Sequence, residues 1–239
     1  MRVNEIVKPV EEGVNDPHIF KAVFLAGGPG SGKSFVANKM LKGTGLKTVN
    51  SDDVFEFLMN KHGLDMSDPD VIASDRVQNP DPEKGLRAKA KNMTDTRMKG
   101  KDGDGGYLQG RLGLIIDGTG KDVNKVSKTN EELKALGYET MMLFVNTSEE
   151  VAQERNAKRA RSLPTKMVKD MWNTVQQNLM KFQQVFGASN FHVVDNSGGL
   201  EDPERKENFL EVTRAIDKFL MKAPSSRFAK QWLAAQKKK

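Results

Sequence analysis

Short, continuous apolar runs alternate along the chain with longer segments in which apolar residues recur at helical spacing. The runs predict five strands, at residues 21–26, 46–50, 112–117, 138–145 and 191–194. Helices are predicted between and after them, at residues 32–42, 51–61, 83–98, 121–136, 149–161, 164–186 and 203–221. Because strands that alternate with helices form parallel sheets covered on both faces, the predicted fold class is α/β with about five parallel strands.

The chain of 239 residues fits one α/β domain with additions. We place this domain at residues 21–222, after an N-terminal lead at 1–20 and before a basic C-terminal tail at 223–239. Inside the domain, the loop-rich and helical stretch 63–110 is predicted to form an insert-like segment, and 155–165 a lid.

The C-terminal tail places Phe228, Trp232 and Leu233 on one face of a predicted helix, beside basic residues. Such a face can dock on a partner protein, a membrane surface or nucleic acid. Terminal segments more often pack locally or fray, and we favour that interpretation.

The amino-acid composition indicates in which compartment the protein acts and which kind of substrate it binds. A net charge of +6 suits an anionic partner such as a nucleotide or nucleic acid, although Lys237–Lys239 supply part of it. No apolar run approaches the length of about 18 residues needed to cross a membrane, and the N-terminus lacks the apolar core of a secretory signal. The absence of cysteine excludes disulfides. We expect a cytoplasmic protein, in the host cytoplasm if it is of phage origin.

A glycine-rich loop between the first strand and the first helix matches the pattern G-x-x-x-x-G-K-[ST] at residues 27–34. Its glycines let backbone N–H groups turn inward around a phosphate, and the following helix start favours an anion. Lys33 is expected to reach the β- and γ-phosphates of ATP, and the Ser34 hydroxyl to contact Mg²⁺. The predicted nucleotide-binding residues are Gly27, Gly28, Pro29, Gly30, Ser31, Gly32, Lys33, Ser34 and Phe35.

Two acidic segments follow predicted strands, at the sheet edge where ligands bind in open parallel sheets. Asp52 lies in the first turn of a helix after the second strand, with Ser51 as the predicted cap. Its carboxylate can accept the proton of an attacking hydroxyl, whereas Asp53 is a weaker candidate and either residue can simply favour the helix start. Asp117 ends the third strand, where a carboxylate can hold Mg²⁺.

The segment 117–120 also spells D-x-x-G, which is a GTPase signature. A GTPase needs a guanine-reading N-K-x-D after a later strand. The nearest match, at 124–127, lacks the aspartate and lies inside a predicted helix, so the GTPase interpretation is disfavoured.

A basic stretch at 154–161 places Arg155 and Arg159 one helical turn apart, with Lys158 beside them. An arginine on a mobile lid can stabilise the charge of a transferring phosphoryl group. Because the stretch comes just before a predicted hinge at 162–164, we favour this role over a solvated helix face.

The order of these motifs, with Asn50-Ser51-Asp52-Asp53, Ile116-Asp117 and Arg155-Asn156-Ala157-Lys158-Arg159 after the glycine loop, resembles the kinase domain of bacteriophage polynucleotide kinases and the wider zeta-toxin-like group of P-loop kinases. The resemblance covers roughly residues 20–185. It implies that Asp52 is the general base that activates a 5′-hydroxyl, that Arg159 contacts the transferring phosphate, and that Asp117 supports the site. Both families usually carry an arginine where this chain has Phe55, which leaves the acceptor open.

The predicted function is ATP- and Mg²⁺-dependent transfer of a phosphoryl group to a hydroxyl acceptor. A nucleic-acid 5′-end or a nucleotide is our first acceptor, and a nucleotide sugar, as in zeta-toxin-like kinases, is the competing one. A protein that binds ATP for assembly or regulation, without transfer, is a third interpretation. Oligomeric state stays open.

Overall fold

A computed structural model describes residues 16–158, 162–199 and 201–236. Its centre is a parallel sheet of five strands in the order β2-β3-β1-β4-β5. The predicted α/β class with five parallel strands is confirmed. The strands are β1 (Lys21–Ala26), β2 (Lys47–Val49), β3 (Leu114–Asp117), β4 (Glu139–Asn146) and β5 (Phe191–Asp195).

Ten α-helices are described around the sheet. They are α1 (Lys33–Met40), α2 (Ser51–Lys61), α3 (Pro69–Ala73), α4 (Asp75–Gln78), α5 (Leu86–Lys99), α6 (Val123–Ala135), α7 (Glu149–Ala157), α8 (Thr165–Phe186), α9 (Pro203–Met221) and α10 (Arg227–Gln236). Within these ranges, no helix combines the length and the apolar character that a membrane span requires.

Both faces of the sheet are buried, because helices cover each of them. On one face, Phe24 and Phe144 pack with Phe182 of α8. On the other face, Leu143 packs in a cluster with Val36 of α1 and Ile216 of α9. Side chains that point alternately to two covered faces are all buried, which explains why the central strands β1 and β4 read as continuous apolar runs.

The strand register brings the ends of β1 and β3 to one level, while β4 continues for three more residues. Leu25 near the end of β1 lies opposite Asp117 of β3 and opposite Leu143 of β4. The loops that follow β1 and β3 therefore emerge side by side at the carboxyl edge of the sheet, where ligands bind in this architecture.

The segment 63–110 adds a helical layer beside α2. A third core cluster joins Phe55 and Met59 of α2 to Leu86 and Ala90 of α5, with Val77 of α4. This cluster fixes α5 against α2, so the segment and α2 share one apolar core.

The C-terminal tail forms α10, which packs at the amino end of the sheet. The Trp232 ring meets Phe20 edge-on with 5.4 Å between centroids, and Leu233 packs against the same core cluster. Phe228 is 44% exposed and lies against the Arg111 guanidinium. Trp232 and Leu233 are thus engaged within the protein. The lysines at 237–239, like most of the N-terminal lead, lie outside the described residues.

Candidate active site

The glycine-rich loop connects β1 to α1 and requires glycine at two tight positions. Gly30 and Gly32 both have positive φ angles, of 75° and 84°. A Cβ atom at Gly30 would lie 2.3 Å from the Ala152 carbonyl oxygen, and one at Gly32 would lie 2.2 Å from the Asn196 amide nitrogen. Residues that follow β4 and β5 therefore press directly on the loop, and only glycine leaves room for this approach.

Two buried hydrogen bonds connect the loop to the end of β5 and to α9. The Asn196 amide donates to the Ser31 carbonyl oxygen over 2.7 Å, and Arg205 of α9 donates to the Asn196 side-chain oxygen over 2.7 Å. The Arg205 guanidinium also lies over the rings of Phe35 and Phe209, 5.4 and 4.9 Å from their centroids. Arg205 is only 8% exposed and forms no ion pair with a described residue. Its positive charge therefore remains available to favour a phosphate in the loop.

Sequence analysis did not identify Asn196 or Arg205. The one signal was positional, because Asn196 directly follows β5 at the carboxyl edge of the sheet. Arg205 lies within a helix and belongs to no motif, so only the fold shows that it reaches the loop.

The two acidic segments are joined by one amide. The Asn50 side-chain nitrogen donates to Asp117 over 3.1 Å and to Asp53 over 3.0 Å, while its oxygen accepts from the Asp52 backbone N–H over 2.8 Å. Asn50 is thus the cap of α2, and the prediction that Ser51 caps this helix is wrong. Asn50 is the cap instead of Ser51 because its amide oxygen accepts from the helix start while its amide nitrogen donates to two carboxylates.

The cluster concentrates negative charge beside Lys33. Burial raises the pKa of Asp117. The positive charge of Lys33 lowers this pKa, and the neighbouring carboxylates of Asp53 and Asp52 raise it further. Burial likewise raises the pKa of Asp53, with further contributions from Asp52 and Glu56, against the hydrogen bond from Asn50. One carboxylate oxygen of Asp117 is buried without a hydrogen-bond partner among the described residues. Partly desolvated carboxylates with a free acceptor atom fit a divalent cation, so these residues match the chemistry expected of a Mg²⁺ site.

Asp52 differs from its neighbours in being free. Its carboxylate is exposed in the first turn of α2 and accepts no hydrogen bond within the described residues. It is nevertheless close enough to Asp117 to raise the pKa of that group. The structure therefore brings Lys33, Asp52 and Asp117 to one edge of the sheet, as predicted from their positions.

Arg155 of α7 also lies at the loop. Its guanidinium is 3.5 Å from the Ser31 carbonyl oxygen. Burial lowers the pKa of Arg155, and the neighbouring charge of Arg205 lowers it further. Arg155 thus contacts the Ser31 backbone directly, and Arg205 reaches it through Asn196. Their mutual repulsion makes an anion at this position favourable.

The basic helix is shorter than predicted. It ends at Ala157 because the buried Asn156 side chain exchanges two hydrogen bonds with the backbone of Leu163, which turns the chain back before α8. Pro164 caps α8, which begins at Thr165. Arg159 lies outside the described residues, so its predicted contact with a phosphate stays a prediction.

Comparison with known proteins identifies the family. A protein-family model described as an AAA domain matches residues 23–186, from β1 through α8. The chain belongs to the AAA domain family. A search of curated proteins with the full sequence found no match.

Solved structures resemble this AAA domain in fold. A protein of the PezAT chromosomal toxin–antitoxin system of Streptococcus pneumoniae is 17% identical, with 92% of each chain covered and a TM-score of 0.54. A candidate kinase from Chloroflexus aurantiacus is 14% identical, with 86% of this chain and 99% of that one covered and a TM-score of 0.52. The AvrRxo1-ORF1:ORF2 complex with ATP is 15% identical, with 90% and 79% covered and a TM-score of 0.50. The AAA domain therefore has a P-loop kinase-like fold.

Proposed function

We propose that this protein is an ATP-dependent phosphotransferase that moves the γ-phosphoryl group to a hydroxyl acceptor. The observation that carries the proposal is the Asn50-linked carboxylate cluster beside Lys33 and the phosphate loop. A protein that only binds a nucleotide needs the phosphate loop and no further carboxylate. The additional exposed carboxylate of Asp52 supplies what a transfer reaction needs, a proton acceptor on the side of the incoming hydroxyl.

The loop residues 27–35 hold the ATP phosphates through backbone N–H groups, which all of them except Pro29 possess, and Lys33 reaches the β- and γ-phosphates. Ser34 and Asp117 are the residues that would hold Mg²⁺, which supplies neutralisation of the phosphate charge when bound. Arg155, beside the Ser31 backbone, adds positive charge on the lid side, and Arg159 shares this role. One neighbour in fold was solved with ATP, which supports ATP as the donor.

Transfer joins the acceptor oxygen to the γ-phosphorus and breaks the bond from that phosphorus to the bridging oxygen of ADP. Asp52 takes the proton of the hydroxyl as the new bond forms. Its exposed position in the first turn of α2 leaves it open to an acceptor, whereas Asp53 is tied to Asn50.

For the acceptor we propose a nucleic-acid 5′-end or a nucleotide, because the chain carries a net charge of +6 and such acceptors are anionic. A nucleotide sugar is the second candidate. It shares the anionic character, and its support is the resemblance to zeta-toxin-like kinases.

The deciding experiment incubates the protein with γ-labelled ATP and Mg²⁺ and a panel of 5′-hydroxyl oligonucleotides, nucleosides, nucleotides and nucleotide sugars. We expect label to move to one acceptor class, and we expect Lys33→Ala to abolish this transfer. Lys39→Ala is the matched control, because Lys39 is an exposed lysine in the last turn of the same helix.

The outcomes separate the alternatives. Tight ATP binding without transfer to any acceptor would reject the proposal and favour an ATP-binding assembly or regulatory protein. If an oligonucleotide is labelled, its apparent affinity should fall steeply with salt, because phosphate contacts release counterions. A flat salt response with a small molecule as the sole acceptor would remove nucleic acid.

A further inference from the structure

A cleft of about 580 Å³ opens at the amino end of the sheet, between the start of β4, the segment that leads into β5, and the end of α9. Small-molecule sites have volumes of about 300–1,000 Å³, so this amino-end cleft has room for a ligand of nucleotide size. Thr140 lines it, whereas Val145, further along the same strand, lies against Gly27 of the phosphate loop. At about 3.3 Å per residue, β4 holds the cleft and the loop roughly 16 Å apart, so they are separate sites.

The backbone of β4 is open toward the cleft. Strand pairing with β5 begins only at Met142, which lies opposite Phe191, although β4 itself begins at Glu139. The Glu139 N–H donates to the Phe20 carbonyl on the β1 side over 2.8 Å. Because successive residues of a strand direct their backbone groups to opposite sides, Thr140 directs its N–H to the β5 side, where the cleft lies.

Two polar side-chain atoms on the cleft wall are buried without a partner. Among the described residues, neither the Thr140 hydroxyl nor the Nε2 atom of His192 forms a hydrogen bond. Thr140 is only 4% exposed. Buried polar atoms in folded proteins almost always have a partner, so an orphaned hydroxyl on the wall of a cleft indicates a polar ligand.

The charge of the cleft indicates the sign of that ligand. Lys134 in the last turn of α6 lines it, together with Lys218 and Lys222 at the end of α9. All three are exposed, and none of them forms an ion pair within the described part of the chain. Three cations without carboxylate partners around one cleft favour an anion.

The carboxylate in the lining does not cancel this charge. Glu139 pairs with the buried Lys21 ammonium and accepts from the Ser225 N–H over 3.0 Å, so its oxygens are already engaged. The nearest further carboxylate that acts on the cleft is Glu211. Burial lowers the pKa of His192, while a hydrogen bond with the Ser189 backbone and the charge of Glu211 oppose this.

We propose that the amino-end cleft binds a small organic phosphate. The phosphate lies among the three lysines and accepts from the Thr140 hydroxyl, and the carbon skeleton lies against Phe219 and Met141, which give the wall its apolar part. A nucleic-acid backbone would meet the exposed lysines but would not reach a hydroxyl buried to this degree. The ligand takes no part in phosphoryl transfer, so the proposal does not depend on the proposed function.

Proton NMR of the histidine rings tests this site directly, because the chain has three histidines. The signal of His192 is identified by its loss in His192→Gln, and His62 at the end of α2 is the internal reference. The protein is titrated with adenosine 5′-monophosphate and adenosine, and with glucose 6-phosphate and glucose. We expect at least one phosphate to shift the His192 signal, at an affinity about 10- to 100-fold above that of its neutral counterpart, while the His62 signal stays in place.

Two sets of variants assign the effect to the cleft. Lys218→Gln with Lys222→Gln should weaken phosphate binding about 10-fold or more. Lys61→Gln with Lys91→Gln is the matched control, since it removes the same charge from exposed positions on α2 and α5, outside the cleft.

Thr140→Val keeps the shape of the side chain and removes its hydroxyl. We expect weaker phosphate binding by this variant but no loss of stability without ligand, because the hydroxyl has no described partner to lose. Lys33→Ala should keep the full His192 response, since Lys33 belongs to the phosphate loop.

Each outcome has one consequence. No shift of His192 with either phosphate, or equal affinity for a phosphate and its neutral counterpart, would overturn the proposal. Equal losses in the two lysine pairs, or parental binding by Thr140→Val, would overturn it as well. A response that disappears in Lys33→Ala would assign the ligand to the phosphate loop. Cleft binding that persists in a protein without phosphotransferase activity would support this site and reject only the proposed reaction.

Discussion

The Asn196 side chain bonds directly to the backbone carbonyl of Ser31 and thereby ties the end of β5 to the middle of the phosphate loop. The bond is buried, and its other end is held by Arg205. The shape of the loop thus depends on a residue 165 positions later in the chain. The loop is preorganised for phosphate by the whole sheet edge and not by its glycines alone.

Asn196→Ala should therefore weaken ATP binding as well as the fold. The substitution leaves the Ser31 carbonyl without its strongest described donor and the buried Arg205 without its acceptor. We expect the free energy of unfolding to fall by about 1–3 kcal/mol, the cost of stranding buried polar groups. Denaturant unfolding and ATP titration measure the two effects.

Asn208→Ala is the control for Asn196. Asn208 accepts from the Asp195 N–H over 2.9 Å and donates to the Val193 carbonyl over 3.1 Å, so it joins α9 to β5 without contacting the loop. The Asn208→Ala variant should be less stable than the parent and bind ATP with the parental affinity. Equal ATP affinity in both variants would mean that Asn196 does not shape the loop.

Asp52→Asn should slow phosphoryl transfer by about 10²–10⁴-fold while ATP binding is retained, because a general base acts on the acceptor and not on the donor. Asp53→Asn is the comparison, since its side chain can still accept the bond from Asn50. We expect a smaller effect there. Single-turnover rates and ATP affinities of both variants are the measurement, and a parental rate for Asp52→Asn would refute the assigned base.

Asp117→Asn should be more stable than the parent without nucleotide at neutral pH. Burial, followed by Asp53 and Asp52, raises the pKa of Asp117, so the folded state binds its proton more tightly than the unfolded chain does. The contribution of a raised pKa to stability is present at low pH and is lost as pH rises through the folded value. The advantage of the variant should therefore grow with pH from the ordinary aspartate range near 3.8 upward.

Unfolding of both proteins in urea across that pH range checks the sign for Asp117. A variant that is less stable than the parent at neutral pH would contradict it. In activity assays the same variant should require more Mg²⁺, because it removes a carboxylate that would hold the cation.

The two lid arginines should affect the rate of transfer. Arg155→Ala and Arg159→Ala are each expected to slow it by about 10²–10³-fold, the usual cost of removing one donor to a developing charge. Arg155→Ala should also weaken ATP binding, because Arg155 lies at the Ser31 backbone. Lys158→Ala, which removes an exposed cation paired with Glu154, should leave the parental rate, and a matching loss there would indicate a general charge effect.

Local patterns predicted the sheet well because each buried strand is a short apolar run bounded by polar turns. The phosphate loop was equally readable, since its motif contains the residues and the spacing that the backbone geometry demands. Asp52 and Asp117 were proposed as site residues from position alone, at the carboxyl ends of strands whose order was not needed for the prediction.

Contacts between segments that lie far apart in the chain could not be predicted from the sequence. The cap of α2 was assigned to Ser51 because the sequence does not show that Asn50 faces two carboxylates. Arg87 belonged to no motif, and only the packing of α5 on α2 shows its guanidinium over the Phe55 ring.

The position of α10 at the amino end of the sheet gives the protein two separate optical probes. The protein has two tryptophans. Trp172 of α8 donates to the Thr147 carbonyl after β4, and its backbone lies next to Gly28 of the phosphate loop. Trp232 of α10 packs against Phe20. The length of β1, about 20 Å, separates the two environments. Intrinsic fluorescence from a Trp232→Phe protein would therefore follow nucleotide at one end of the sheet, and that from a Trp172→Phe protein the docking of the C-terminal helix at the other.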